Sequence, residues 1–191
     1  NFSSYFVANW KLNGNFEFID NFIDQLVIPE DKSKCIVICP TSIHLHYMSL
    51  KKNNFLLGAQ NVSQFENGAY TGEISTILLR ELNIDFCIVG HSERRQIFKE
   101  NNKDVNLKSY QLIKNQIVPI ICIGETIEER EKGKTNDVLV SQLADGLPET
   151  SSRANQMWLS ISQDTAYLTP RLRRQGYFHL TLIQTIQSAS R

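Results

Sequence analysis

Cysteine is sparse and unpaired in this sequence. The four residues, Cys35, Cys39, Cys87 and Cys122, lie in apolar runs and lack the C-x-x-C spacing of a zinc or redox site. That pattern implies core thiols in a reducing compartment rather than metal ligands or disulfides. Surplus charge is missing as well: 20 Lys and Arg face 20 Asp and Glu. Nucleic acids and anionic membranes call for a basic excess, so small solutes are the expected partners. No apolar run reaches the roughly 18 residues of a membrane span, and the amino end lacks the basic-then-apolar order of a secretory signal. No membrane association is expected, and the cytoplasm is the expected location.

The later chain is short of two things that the earlier chain has in plenty. No lysine follows Lys134, and the only acidic residue after Glu149 is Asp164. Residues 1–149 hold 15 cations and 19 acids, whereas residues 150–191 hold 5 and 1. Gln, Ser and Thr there replace the earlier bias towards Asn, Ile and Lys. Two regions follow: 1–150, and a divergent tail over 151–191.

What the first region does contain is a series of short runs rich in β-branched and aromatic residues: Tyr5–Trp10, Cys35–Cys39, Phe55–Ala59, Phe86–Val89 and Val118–Ile123. All are too apolar for a sheet with one wet face and fit parallel strands buried on both faces. Between them, Asn15–Val27, Ile74–Leu82 and Val105–Gln116 repeat apolar residues at helical spacing. Each strand-plus-helix unit takes roughly 30 residues, as a βαβ crossover requires. The reading is α/β, either a doubly wound sheet or an incomplete barrel, with five βα units up to about Leu147. A sixth strand is expected at Met157–Ile161, while Leu168–Arg174 and Tyr177–Ile186 follow no clear period.

Parallel sheets and barrels keep their chemistry at the carboxyl ends of strands. The first strand exits as Ala8-Asn9-Trp10-Lys11, with Asn9 and Lys11 two residues apart and so on one side of an extended chain. The fourth exits as Gly90-His91-Ser92-Glu93-Arg94-Arg95, a polar cluster directly behind an apolar run. Singly, a lysine after a strand reads as a solvated charge, a histidine there as a group satisfying backbone, and Glu93 with its arginines as a surface ion-pair patch. Together, a cation, an amide donor and an imidazole at one mouth can bind an anion and polarise a carbonyl.

The wording of five segments is more specific. Phe6-Val-Ala-Asn9-Trp10-Lys11-Leu-Asn-Gly14, Gly58-Ala-Gln60-Asn61, Gly68-Ala-Tyr70-Thr71-Gly72-Glu73, Gly90-His91-Ser92-Glu93-Arg94-Arg95 and Cys122-Ile-Gly124-Glu125-Thr126 resemble, in order and spacing, the triosephosphate isomerase family. The likeness runs from about Tyr5 to Leu147. It implies a TIM-type (β/α) barrel, here incomplete, since the family's eight units take about 250 residues. It also implies interconversion of glyceraldehyde 3-phosphate and dihydroxyacetone phosphate, in glycolysis and gluconeogenesis, without a cofactor. By resemblance, Lys11 neutralises the substrate phosphate and the developing enediolate, with the Asn9 amide alongside. His91 acts as neutral electrophile and proton shuttle. Glu93 either supports proton movement or merely holds Lys11. The Gln64–Ser75 segment resembles a loop whose tip enters the other subunit of a homodimer, carrying Thr71 towards that subunit's site. Glu73 and Arg94 are then candidates for an ion pair across the interface, or are simply solvated.

The likeness fades where the family's general base belongs. Its sixth strand exits as A-Y-E-P-V-W; here the chain reads Leu159-Ser160-Ile161-Ser162-Gln163-Asp164-Thr165-Ala166, with no glutamate, and Asp164 is a poor substitute. The later glycine turns that cradle phosphate are also missing, with only Gly176 left in the tail. An impaired isomerase is therefore expected. The alternative is an inactive, truncated paralogue or pseudogene product that at most dimerises. A barrel lacking staves should also expose two parallel-strand edges and aggregate.

Overall fold

The computed structural model describes residues 4–28, 30–52 and 54–149, together with the backbone of two later strands at 158–161 and 179–184. Five strands, β1 (Ser4–Asn9), β2 (Lys34–Cys39), β3 (Leu56–Ala59), β4 (Phe86–Val89) and β5 (Val118–Ile123), lie side by side in sequence order and parallel. Helices alternate with them: α1 (Phe16–Gln25), α2 (Ser42–Lys51), α3 (Thr76–Glu81), α4 (Ser92–Ile97), α5 (Asn102–Lys114), α6 (Ile127–Glu131) and α7 (Thr135–Gly146). β6 (Trp158–Ile161) continues the parallel order beside β5, and β7 (His179–Gln184) pairs antiparallel with β1. The order is β6-β5-β4-β3-β2-β1-β7, curled into an incomplete barrel in which the two end strands approach each other.

Burial on both faces explains why the strand runs do not alternate. On the helix side, Ile38, Leu57, Cys87, Val89 and Ile121 pack with Ile19, Leu45, Met48, Leu79, Val105 and Leu112. On the other side, Tyr5, Val7, Cys35, Val37, Cys39, Phe86, Ile88, Ile120 and Cys122 form a second cluster drawn from strands alone. All four cysteines are buried and free, as their apolar surroundings suggested. Burial pushes the Cys35 thiol up to about 11 and Cys122 up to about 12, so these side chains stay uncharged and inert.

Several helices begin where short polar side chains satisfy their first amides. Asn15 Oδ1 accepts from Phe18 N at 2.8 Å, and Asn101 with Asp104, and Thr126 with Glu129, form reciprocal capping boxes. α2 was not legible from periodicity because it mixes buried His44, Leu45 and Met48 with exposed Ile43 and Leu50.

One expectation is corrected. The free side of β1 is not an open parallel edge: β7 covers it, with Asn9 opposite His179 and Ser4 opposite Gln184. The sequence there alternates Leu180 and Leu182 with His179 and Thr181, but Phe178 and Ile183 on either side break the period of two. Asp164, Leu168–Arg174 and Gly176 lie outside the described residues.

Candidate functional site

β1 ends at Asn9, and its chain then turns through a conformation that lysine rarely adopts, with Lys11 at φ +52°. Such a backbone costs on the order of 1–2 kcal/mol for a residue bearing a Cβ and persists only where its surroundings impose it. Those surroundings are visible. Asn9 Oδ1 accepts from Lys11 N at 3.0 Å, and Gln60 Nε2 donates to Lys11 O and to Cys39 O, both at 2.9 Å. Trp10, fully buried, meets Phe18 and Phe22 edge-on at 5.1 and 5.2 Å. Anchored in this way, Lys11 reaches across the strand ends to α4.

The fourth strand exits into that helix through Gly90 and His91. His91 is the N-cap of α4, and its Nδ1 accepts from Glu93 N at 3.3 Å. Nδ1 also lies 3.4 Å from Glu93 Oε2, a contact that would need a proton on Nδ1. An Nδ1 that accepts from the Glu93 amide carries no proton, whereas one that contacts the Glu93 carboxylate carries one. The other carboxylate oxygen of Glu93 accepts from Lys11 Nζ at 2.6 Å. Glu93 thus stands between ammonium and imidazole and brings the first and fourth strand exits together at one rim.

Of the residues singled out in sequence, Asn9, Lys11, His91 and Glu93 gather at this rim. Thr71 and Glu73 do not; both are exposed on the loop after β3. Arg94 turns away, its Nε bonded to Glu100 of the same chain, which also receives Lys108. Arg94, Glu73 and Phe98 line an open depression of about 310 Å³. Gln60 is a supporting residue that sequence reading left without a role, although its place at the exit of β3 parallels those of Asn9 and His91. Among the described residues no cluster of His, Cys, Asp or Glu could hold a metal, and no helix is long and apolar enough to cross a membrane.

The fifth strand exit is rigid in its own way. Gln142 donates to Gly124 O at 2.9 Å and accepts from Gly124 N at 2.8 Å, while Glu125 accepts from Arg130 Nε at 2.7 Å. Glu125's own backbone amide, then Arg130, hold its carboxyl below its ordinary value of 4.5. A lowered folded-state pKa contributes stability above pH 4.5 that disappears as the pH falls through the lower value. Glu125→Gln is therefore expected to flatten the loss of stability below about pH 4.5, measurable as urea midpoints across that range. An unchanged acid limb would contradict it.

Gly90 carries a second expectation. Its φ is +67°, and a Cβ there would fall 2.8 Å from Val105 Cγ2 and 3.2 Å from Cys122 O. Gly90→Ala should destabilise by roughly 2–4 kcal/mol, adding overpacking to backbone strain. A melting temperature matching the wild type would refute that.

An imidazole and an ammonium at the carboxyl ends of parallel strands, on a curled βα sheet, stand where TIM-type barrels place their sites. A triosephosphate isomerase family model matches residues 4–161. The chain is 45% identical over 152 residues to a triosephosphate isomerase of Mesomycoplasma hyorhinis, a match covering 75% of this chain and 62% of that enzyme. It is 40% identical over 158 residues to that of Chlamydia muridarum, 80% of this chain and 58% of the enzyme. With that of Dictyoglomus turgidum it shares 43% over 144 residues, 73% and 58%. The chain belongs to the triosephosphate isomerase family. Its matches span about three fifths of the length of these relatives.

Proposed function

We propose that this chain carries the electrophilic half of a triosephosphate isomerase site and acts on glyceraldehyde 3-phosphate and dihydroxyacetone phosphate. The observation that carries this reading is the single contact chain Lys11–Glu93–His91, with bonds of 2.6 and 3.3 Å. In this reading a base takes the proton from the carbon next to the carbonyl, and the electron pair moves onto the carbonyl oxygen. The Lys11 ammonium and the Asn9 amide meet the resulting negative charge and the phosphate. His91 gives its Nε2 proton to the former carbonyl oxygen and takes back the proton of the neighbouring hydroxyl, whose oxygen becomes the new carbonyl as the base returns its proton to the neighbouring carbon. No metal or organic cofactor takes part. The same reading includes a homodimer joined through the Gln64–Ser75 loop, with Thr71, Glu73 and Arg94 at its interface, and a glycolytic and gluconeogenic role in the cytoplasm.

The base is the weak half. No glutamate follows β6, where the sequence reads Ser162-Gln163-Asp164-Thr165-Ala166. Loss of a general base lowers rates by about 10²–10⁴, so turnover by this chain is expected to be impaired. That same stretch favours a second reading, an inactive paralogue or pseudogene product that at most dimerises. A coupled assay on glyceraldehyde 3-phosphate separates them, once circular dichroism shows a folded protein. Measurable isomerisation supports the first reading; a folded chain with none supports the second.

A further inference from the structure

We infer that Arg95 is a positioning residue that sets the orientation of the His91 imidazole. The inference rests on the isomerase reading for its meaning, though its test does not need turnover. Arg95 and Arg94 are adjacent, yet only Arg95 turns into the strand exits. Its Nε donates to Gly90 O at 2.8 Å, its Nη1 to Asn102 Oδ1 at 2.7 Å and its Nη2 to Cys122 O at 3.4 Å. One planar fork thereby ties the end of β4, the end of β5 and the start of α5.

The bond to Gly90 O matters most. That oxygen belongs to the peptide unit whose N–H is His91's own, so the guanidinium fixes the plane from which His91 departs. On the other side, His91 O accepts from Arg94 N at 2.8 Å and from Arg95 N at 3.0 Å. Arg95 therefore grips His91 from both directions, through its side chain before the residue and through its backbone after it. Its guanidinium also fills the space beside Gly90, where a Cβ would come within 3.0 Å of Nη2. Burial pulls its pKa below the ordinary guanidinium value, but a guanidinium keeps its charge at any pH of interest. A lysine could reach one of these acceptors, not three, because its ammonium is a single point on a flexible stem.

The consequence is local. With the Gly90–His91 peptide released, Nδ1 should lose its hold on Glu93 N–H, and the ring should sample both neutral tautomers. A misplacement of about 1 Å at a reacting group can cost up to about a hundredfold in rate, so kcat should fall by up to about that factor with KM little changed.

The test uses the full chain with ¹⁵N-labelled histidine, comparing wild type with Arg95→Lys and Asn102→Ala by NMR. Wild type should show His91 as a single Nε2–H tautomer in its neutral form. Arg95→Lys should bring the two ring-nitrogen shifts towards each other, and Asn102→Ala, which removes the Nη1 acceptor along with long bonds to Ser141 on the far side from His91, should do so to a smaller degree. A folded Arg95→Lys protein with His91 shifts identical to wild type overturns the inference. If Arg95→Lys does not fold, unchanged shifts in Asn102→Ala overturn it instead. Absence of turnover in every protein would remove the isomerase reading, while the ring shifts would still decide what Arg95 does.

Discussion

Lys11→Ala is expected to lower kcat/KM for glyceraldehyde 3-phosphate by about a thousandfold, in line with the loss of a preorganised group facing developing charge. Stability should hardly move. The ion pair with Glu93 has side chains 34% and 45% exposed, and pairs that wet contribute under about 1 kcal/mol. Removing it also leaves Glu93 able to meet water. The strained backbone persists in alanine, since Asn9, Gln60 and Trp10 impose it from outside the side chain. Coupled kinetics beside a thermal melt check both halves. A comparable drop in melting temperature and activity would mean that Lys11 organises the fold rather than the chemistry.

His91→Gln is expected to reduce kcat by roughly 10²–10⁴, the range for losing a positioned acid–base group, with a smaller change in KM. Glutamine offers an amide donor of similar reach, so ground-state contacts partly survive. It cannot give a proton and take it back. The variant also gives up the N-cap bond to Glu93 N, which costs helix α4 about 1 kcal/mol and can be read separately from a melt. If kcat stays within threefold while KM rises steeply, the imidazole binds substrate and does not move protons.

Much of this arrangement is legible in the sequence. The strands showed themselves because burial on both faces writes continuous apolar runs: Phe86–Val89 and Val118–Ile123 match β4 and β5 to the residue. The rim residues stand out only in combination, because a cation, an amide and an imidazole follow two such runs, while each alone has an ordinary structural use. What stayed hidden has physical causes. Gln60 acts through two backbone carbonyls brought near by the fold, 49 and 21 positions away in sequence. Arg95 acts through Gly90, Asn102 and Cys122, and nothing in the dipeptide Arg94-Arg95 says which arginine turns inward. β7 escaped notice because Phe178 and Ile183 break its alternation after a few residues.

The site's two halves differ in standing for the same reason. Lys11 and His91 follow strands whose packing is dense and whose registers are fixed by long ladders. The segment after β6 has no such support in sequence: its composition departs from the rest of the chain. On the isomerase reading, the rim should bind a phosphorylated two- or three-carbon anion even where a full phosphate cradle is lacking, though more weakly.

Titration of the full chain with 2-phosphoglycolate, followed at the His91 ring nitrogens, tests the central claim most directly. If the ammonium from the first strand and the imidazole from the fourth share one anion site, the His91 signals shift saturably in wild type, and Lys11→Met abolishes the shift. His91 signals that ignore the ligand, or that respond equally in Lys11→Met, would contradict a shared site.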